Sequence, residues 1–514
     1  MQFHWKVLLW MVAGALVGLI LQSTLDAPAY SGATWKSAPG GLEISTRSGP
    51  SARSRLEVGQ LYDRVIKSRG KDDEEVLQLT SVAELEAIFG AASNGEVLWF
   101  ATPDDPELIQ PTPLALGMDP DSARAQWIFP FSFAADIFMA LLKMLIVPLV
   151  LSSIVSGVAS VGALKDLRRL GLKTFAYYVS TSLLAVLLGQ ILVNVIRPGE
   201  GAQLGLSANA DVGQRTENFF EILKRMVPEN IVSAMTSNGA MLQVIFFALL
   251  LGYFITRTAE PHSSRVRQAF EGFFQVMMRM AEGVLSLLPY GVFCLLVKVV
   301  AGTGFEPFKA LLLYMFTVAL ALVIHAGVTL PMVLRLVGGI SPRRWAKAMS
   351  PALMTAFSTS SSSMTLPVTL KTVEGRGRVS NKVTSFTLPL GATINMDGTA
   401  LYECIGVIFL AQYYAGLGGH TLTLGDQALV VIMALLASVG AAGIPSAGLV
   451  MMLTILSALN LPLEGAALLL AVDRPLDMLR TVVNVWSDSC GAAVVARSEG
   501  EPGPLEAGSV PSPG

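Results

Sequence analysis

Nine apolar stretches, most of them long enough to cross about 30 Å of hydrocarbon, dominate the chain. They are Val7–Leu21, Ile128–Val161, Thr174–Val195, Phe219–Ile255, Phe273–Val300, Phe308–Leu336, Leu388–Tyr414, Ala428–Leu459 and Ala466–Val495. Only 14% of the 514 residues are charged, against about 25% in a soluble domain. A chain this apolar needs a bilayer as solvent and reads as an all-α polytopic membrane protein. Val7–Leu21 is short and follows a basic start, as a signal peptide would, but no small-x-small cleavage site follows. Gly14 and Gly18 fit helix packing, so a retained helix is expected.

Charge and cysteine usage remove several functions. The net charge is −2, which gives no reason to expect a nucleic-acid partner. Cys294, Cys404 and Cys490 lie far apart in apolar segments, and the four histidines are scattered. Neither a disulfide framework nor a His/Cys metal site is implied. An intramembrane hydrolase fails too, because no His or Lys lies near the serine run to activate it. A non-enzyme with no organic cofactor is expected.

Ser23–Trp127 differs in kind. It holds 16 acidic and 9 basic residues, 25 of the chain's 74 charges in 105 residues. Val76–Phe89 has helical spacing and Val97–Phe100 suits a short strand, so a hydrophilic insert, partly folded at best, is expected. Basic loops set the orientation. Lys165, Arg168, Arg169 and Lys173, then Arg257, Arg265 and Arg267, Arg343, Arg344 and Lys347, and Lys371, Arg376, Arg378 and Lys382 belong inside. Both termini then lie in the cytoplasm and the insert outside.

Two stretches break the helix pattern at membrane depth. One spans Ser358–Pro367 (Ser-Thr-Ser-Ser-Ser-Ser-Met-Thr-Leu-Pro) and the other Ser438–Gly448 (Ser-Val-Gly-Ala-Ala-Gly-Ile-Pro-Ser-Ala-Gly). Irregular backbone cannot face lipid, so both read as re-entrant hairpins lining a cavity. Each precedes a helix with a polar cluster, a two-fold repeat that points to a transporter site near the midplane.

The last apolar helix carries Asp473, Asp477, Arg480, Thr481, Asn484 and Asp488, which at 100° per residue share an arc of about 100°. Each intramembrane charge costs at least ~2.5–3.5 kcal/mol, so this stripe is functional by default. Three carboxylates facing one arginine invite a cation. The preceding helix contains Gly391-Ala-Thr-Ile-Asn395-Met-Asp397-Gly398-Thr399. Asn, Asp and Gly favour unwinding there, and the freed carbonyls suit a hard cation such as Na⁺ or Ca²⁺. The serine run offers N–H groups at a half-helix start to a carboxylate. Arg480 offers a fork for a second carboxylate, and Asp477 a seat for an ammonium group. Two carboxylates and one ammonium describe an acidic amino acid.

These motifs, with Asp-Met-Leu-Arg-Thr-Val-Val-Asn-Val at the last helix, closely resemble the dicarboxylate/amino-acid:cation symporters over Ser358–Glu499. Weaker similarity reaches back to about Ile128 and includes Tyr177-Tyr178-Val-Ser-Thr181-Ser182, and Val7–Leu21 fits the family's first helix. The resemblance implies eight membrane helices, two re-entrant hairpins in inverted repeats, and a homotrimer with an elevator-like transport domain. The corresponding division is 1–22, first helix; 23–127, insert; 128–345, helices 2–6; 346–387, hairpin 1; 388–415, helix 7; 428–462, hairpin 2; 466–496, helix 8; and 497–514, tail. It also implies a multi-pass plasma (inner) membrane protein importing glutamate or aspartate with Na⁺. A C4-dicarboxylate or neutral amino-acid substrate is the rival on the same fold, and an anion conductance is a side activity the family allows.

Carried over by position, Arg480 binds the side-chain carboxylate and Asp477 the amino group. Asn484 and Ser362 take the α-carboxylate; Ser361, Thr399, Thr481, Ile444 and Gly448 line the pocket, and Asp473 orients Arg480. One Na⁺ site uses Gly391, Asn395, Asn484 and Asp488. A second uses Thr393, Met396, Ser438, Val439 and Ala441, and a third Tyr178, Thr181, Ser182, Asn395 and Asp397. Glu403 matches the glutamate that resembles a proton carrier. Ser360 and Met478 stand where different members carry an arginine, so this chain departs from the family pattern at both positions.

Overall fold

A computed structural model of the chain describes residues 3–52, 54, 56–69, 74–105, 108, 111–162, 168–202, 204, 224, 227–236, 241–417, 421–440, 447–459, 461–502 and 505. Apart from short turns, the helices are α1 (Phe3–Thr24), α2 (Val82–Ala91), α3 (Ala123–Gly162), α4 (Arg168–Ile196), α5 (Met241–Arg257), α6 (His262–Ser286), α7 (Leu288–Thr303) and α8 (Glu306–Ile324). They continue as α9 (Leu330–Leu336), α10 (Pro342–Thr359), α11 (Ser362–Gly375), α12 (Asn381–Ile394), α13 (Asp397–Gly416), α14 (Leu424–Gly440), α15 (Ala447–Ala458) and α16 (Glu464–Ser498).

Four described segments are long and apolar enough to cross a membrane: Ala123–Ala159, Arg169–Ile196, Pro307–Leu336 and Asn381–Gly416. The pair α6 and α7, bent by 50°, adds a fifth if taken as one span. Their outer faces carry exposed Phe129, Ile191, Phe316 and Leu336, side chains that water disfavours and lipid accepts. α1 lies along α7. A Cβ at Gly14 would meet Phe293 O at 2.7 Å and one at Gly18 would meet Val300 Cβ at 2.7 Å, so the two small residues let the helices approach.

The centre is built differently. The segment Asn381–Gly416 is buried along its most apolar window, and α13 packs against α4, α14, α15 and α16. A helix apolar on all sides belongs in such a position. The expected break is present: α12 ends at Ile394, Asn395 and Met396 leave helical geometry with ψ of 81° and 60°, and α13 starts at Asp397. The serine run is the turn of a helix pair, α10 and α11. Ser360 sits in the left-handed region at φ 51°, and Ser361 caps α11 by accepting from Met364 N. The second pair is α14 and α15; residues 441–446 between them, with Ala441 and Ile444, lie outside the described residues, as does the Val439 side chain.

The insert departs from expectation. It is a folded β unit with strands β1 (Ala29–Tyr30), β2 (Ala33–Ala38), β3 (Gly41–Arg47), β4 (Leu61–Tyr62), β5 (Arg64–Lys67), β6 (Glu75–Gln78), β7 (Val97–Ala101), β8 (Thr112–Ala115) and β9 (Gly117–Met118). They form antiparallel sheets ordered β1-β9, β2-β3-β4 and β6-β5-β7-β8. Leu42, Ile44, Tyr62, Val65, Leu98, Phe100 and Leu114, with Leu85 of α2, make a core of its own. Strands this short present only two or three inward residues each, so their alternation is hidden by the charges between them.

Candidate functional site

The polar stripe of α16 is buried: Asp473, Asp477, Arg480, Thr481, Asn484 and Asp488 are all at most 6% exposed. It faces the broken helix α12–α13, and three clusters form along the contact.

At the first, Arg480 Nη2 donates to Asp473 Oδ1 at 2.9 Å and to Asp477 Oδ1 at 2.8 Å. Its guanidinium lies 3.8 Å from the centre of the Tyr402 ring, a cation–π seat that fixes the plane of the fork. Nε and Nη1 have no hydrogen-bond partner among the described residues. A buried guanidinium with unmet donors suits a bidentate anion. Gly448 lies against it: a Cβ there would come within 2.6 Å of Nη1 and 2.9 Å of Thr399 Cγ2. Asn484 bridges to α13, accepting from Gly398 N at 2.8 Å and donating to Thr399 Oγ1 at 3.2 Å. Thr481 returns its hydroxyl to Asp477 O.

The expected count of one arginine is corrected here. Arg474 Nη1 reaches Asp477 Oδ2 at 3.1 Å, so both oxygens of Asp477 meet guanidinium groups. On the helical wheel Arg474 stands about 20° beyond one edge of the arc. Ser487 stands about as far beyond the other edge, so neither belongs to the polar stripe that the sequence shows.

The second cluster surrounds Asp397, which is fully buried. Ser182 Oγ donates at 2.6 Å and Thr181 Oγ1 at 3.4 Å to Oδ1, while Ser487 Oγ donates at 2.7 Å to Oδ2. His325 Nε2 is 3.1 Å from Oδ2. His325 opens a π-helical turn, His325–Thr329, and Ala326 O there accepts from Trp486 Nε1 at 3.1 Å. Such turns re-aim side chains at functional sites, and nothing in the apolar run around His325 signals one.

The third cluster holds Asp488, Asn395 and Gly391. Asn395 Nδ2 donates to Asp488 Oδ1 at 2.8 Å and to Ser487 Oγ at 3.0 Å. A Cβ at Gly391 would collide with Asp488 Oδ1 and the Tyr178 hydroxyl, so a larger residue there would displace both. Tyr178 donates to Thr387 O at 2.8 Å; its hydroxyl thus stands at this cluster, while its carbonyl accepts from Thr181. Hydroxyl, carboxylate and amide oxygens packed this densely are hard-cation ligands in type.

Other expected residues sit apart. Thr393 is exposed with its hydroxyl on Leu390 O at 3.0 Å, and Ser438 Oγ is on Leu435 O at 2.8 Å. Among the described residues no hydrogen bond joins them. Met396 is buried at the helix break and Ser362 at the start of α11. Glu403, one turn beyond Thr399, is fully buried, and neither carboxyl oxygen has a partner among the described residues.

The sequence pattern of the sodium:dicarboxylate symporter family matches residues 113–498. The chain belongs to that family. Excitatory amino acid transporter 3 of Bos taurus is 34% identical over 421 residues, which covers 72% of this chain and 79% of that one. Excitatory amino acid transporter 2 of Homo sapiens is 36% identical over 420 residues, 71% and 72% of the two chains. The range shared with the symporter family contains all three clusters. Most of the β unit falls outside it.

Proposed function

We propose that this symporter imports an acidic amino acid, glutamate or aspartate, together with Na⁺. Arg480 receives the side-chain carboxylate through Nε and Nη1, held in plane by Asp473 and Tyr402. Asp477 takes the ammonium group. Ser361, Ser362 and Asn484 receive the α-carboxylate, with Thr399, Thr481, Ile444 and Gly448 completing the pocket. Na⁺ travels at Asp488, Asn395, Gly391 and Asn484, and at Asp397, Asn395, Thr181, Ser182 and Tyr178, with a further site at Thr393, Met396, Ser438, Val439 and Ala441. Glu403 carries H⁺, because an ionised carboxyl buried without a partner is costly and a bound proton removes that cost. Eight spans with two re-entrant helix pairs, an elevator motion, a homotrimer in the plasma (inner) membrane, cytoplasmic termini and an external β unit complete the reading.

The observation that supports it most is the pairing, within one buried cluster, of a carboxylate and a guanidinium with two donors unmet among the described residues. An anion and an ammonium are thereby addressed a few ångströms apart. Arg474 on Asp477 favours one second reading, a C4-dicarboxylate that needs no ammonium seat. One experiment separates the two: the purified protein in proteoliposomes, given labelled aspartate, glutamate or succinate, with Na⁺ and H⁺ gradients imposed singly. Na⁺-dependent accumulation of aspartate or glutamate is expected. Accumulation of succinate alone overturns the amino-acid reading.

A further inference from the structure

Asp397 is surrounded by hydroxyl groups, and one of them lies outside the residues given to the ions above. Ser487, on α16, is fully buried. Its hydroxyl donates to Asp397 Oδ2 at 2.7 Å and accepts from Asn395 Nδ2 at 3.0 Å. Both directions are forced, because an ionised carboxylate only accepts and an amide N–H only donates. A hydroxyl has one proton and two lone pairs, so Ser487 keeps one lone pair to give. The Tyr177 hydroxyl comes close to Ser487 but completes no hydrogen bond among the described residues. On the other carboxylate oxygen, Ser182 Oγ donates to Oδ1 at 2.6 Å. Each oxygen of Asp397 thus carries a short hydroxyl bond. The hydroxyl oxygens can serve a hard cation without turning a proton away from the carboxylate.

We propose that Ser487 is a direct oxygen ligand of the Na⁺ bound at Asp397, alongside Tyr178, Thr181, Ser182 and Asn395. This rests on the reading of Asp397 as a cation site. Asn395 Nδ2 holds Ser487 in place and donates also to Asp488 Oδ1 at 2.8 Å. Ser487 and Asp488 are consecutive on α16, so the helix presents one residue to each carboxylate cluster. A rival role for Ser487 is that of a donor that only satisfies Asp397. The two roles differ in what removal does: losing a donor weakens every cation alike, whereas losing a ligand penalises most the ion that needs most ligands. Selectivity between hard cations follows cavity size and ligand number, and Na⁺, the larger ion, needs more oxygens than Li⁺.

The test uses the purified full-length protein in detergent without amino acid, titrated with NaCl or LiCl at constant ionic strength. Binding is read by the fluorescence of tryptophan, since Trp486 adjoins Ser487 and is buried, and by the rise in thermal midpoint that a bound ion gives. Ser487→Ala is expected to weaken Na⁺ binding about tenfold or more, at least what a metal site loses with an outer-shell partner. Li⁺ binding should weaken less, so the Na⁺/Li⁺ affinity ratio should fall at least about threefold. Ser487→Thr, which keeps the hydroxyl, should keep the unaltered ratio. Equal losses for the two ions in Ser487→Ala, or no loss, overturn the proposal. If the alanine variant does not fold, Ser487→Cys decides, because its thiol keeps the S–H and replaces the hard oxygen by soft sulfur. The same fall in ratio supports the inference, and an unchanged ratio overturns it. Asp397→Asn separates the two levels. An unaltered Na⁺ response in that variant overturns the cation site itself. A weakened response there, with Ser487 variants like the unaltered protein, overturns the role of Ser487 alone.

Discussion

Arg480 carries more of the chemistry than any other residue, and its role follows from what its neighbours leave open. Nη2 is spent on Asp473 and Asp477, so among the described residues Nε and Nη1 are the donors that remain. Arg480→Cys removes them while leaving both carboxylates behind. Losing a buried charged partner costs on the order of 2–5 kcal/mol, so acidic amino-acid uptake should fall below detection, with weak binding of neutral amino acids kept or gained. Unchanged glutamate affinity would remove Arg480 from the site. At Asp397 four side chains converge on one carboxylate, and at Asp488 the partner is Asn395. Asp397→Asn and Asp488→Asn each replace a negative ligand by a neutral amide, so each should shift the Na⁺ dependence of uptake to higher concentration. Wild-type titrations for both would relocate the ions. The stripe of α16 and the Asn-Met-Asp break were legible because charges are rare in apolar helices and poor helix formers rarer. Arg474, Ser487 and His325 were not. The first two lie just outside the arc, and the third reaches Asp397 only through a π-helical turn.

At the level of elements, length and apolarity located the helices better than their interruptions. Phe273–Val300 reads as one run, yet α6 and α7 meet at Leu287 with a 50° bend, next to Pro289 at the start of α7. The end of α16 shows how elements are tied at the helix ends. Glu499, just past α16, accepts from Arg169 Nη2 and Lys173 Nζ, both at 2.6 Å, and Lys173 also donates to Ser498 O. Those two cations of α4 hold the Glu499 carboxyl below the usual glutamate range. A depressed carboxyl contributes stability at pH above its ordinary value of about 4.3 and loses it as pH falls through the lower, folded value. Amide-exchange protection around residues 498–501 should therefore persist from neutral pH down to that range and vanish below it. In Glu499→Gln the protection should be weak at every pH. Pairs this exposed are each worth under about 1 kcal/mol, so global stability should barely change.

On the scale of the whole molecule, the β unit and the helical body have separate hydrophobic cores, with Val97 of β7 packed against the helical one. Arg124, at the start of α3, donates to Leu25 O at 2.7 Å and Gln22 O at 2.9 Å, clasping the end of α1. Asn94 adds a bond to Ala27 O at 3.1 Å. Above this clasp a cavity of about 890 Å³ separates Trp99, Asn94 and Arg69 of the β unit from Tyr413 and Gly304 at the helix ends. The residues assigned to substrate and ions all fall between Tyr178 and Asp488, and the β unit supplies none. Its own core, with Trp35 stacked on Phe100 and Tyr62 edge-on to both, is a hydrophobic cluster separate from that of the helices. Replacing Ser31–Pro120 with a short Gly/Ser linker leaves Arg124, Leu25 and Gln22 in place, and shortening a loop changes its closure entropy only logarithmically. The truncated protein should therefore keep its oligomeric state by light scattering and its Na⁺-dependent aspartate uptake within about twofold. Uptake lost in a variant that assembles normally would instead make the wall of that cavity part of the substrate's route, and Trp99 and Arg69, stacked at 4.8 Å, the first residues to alter.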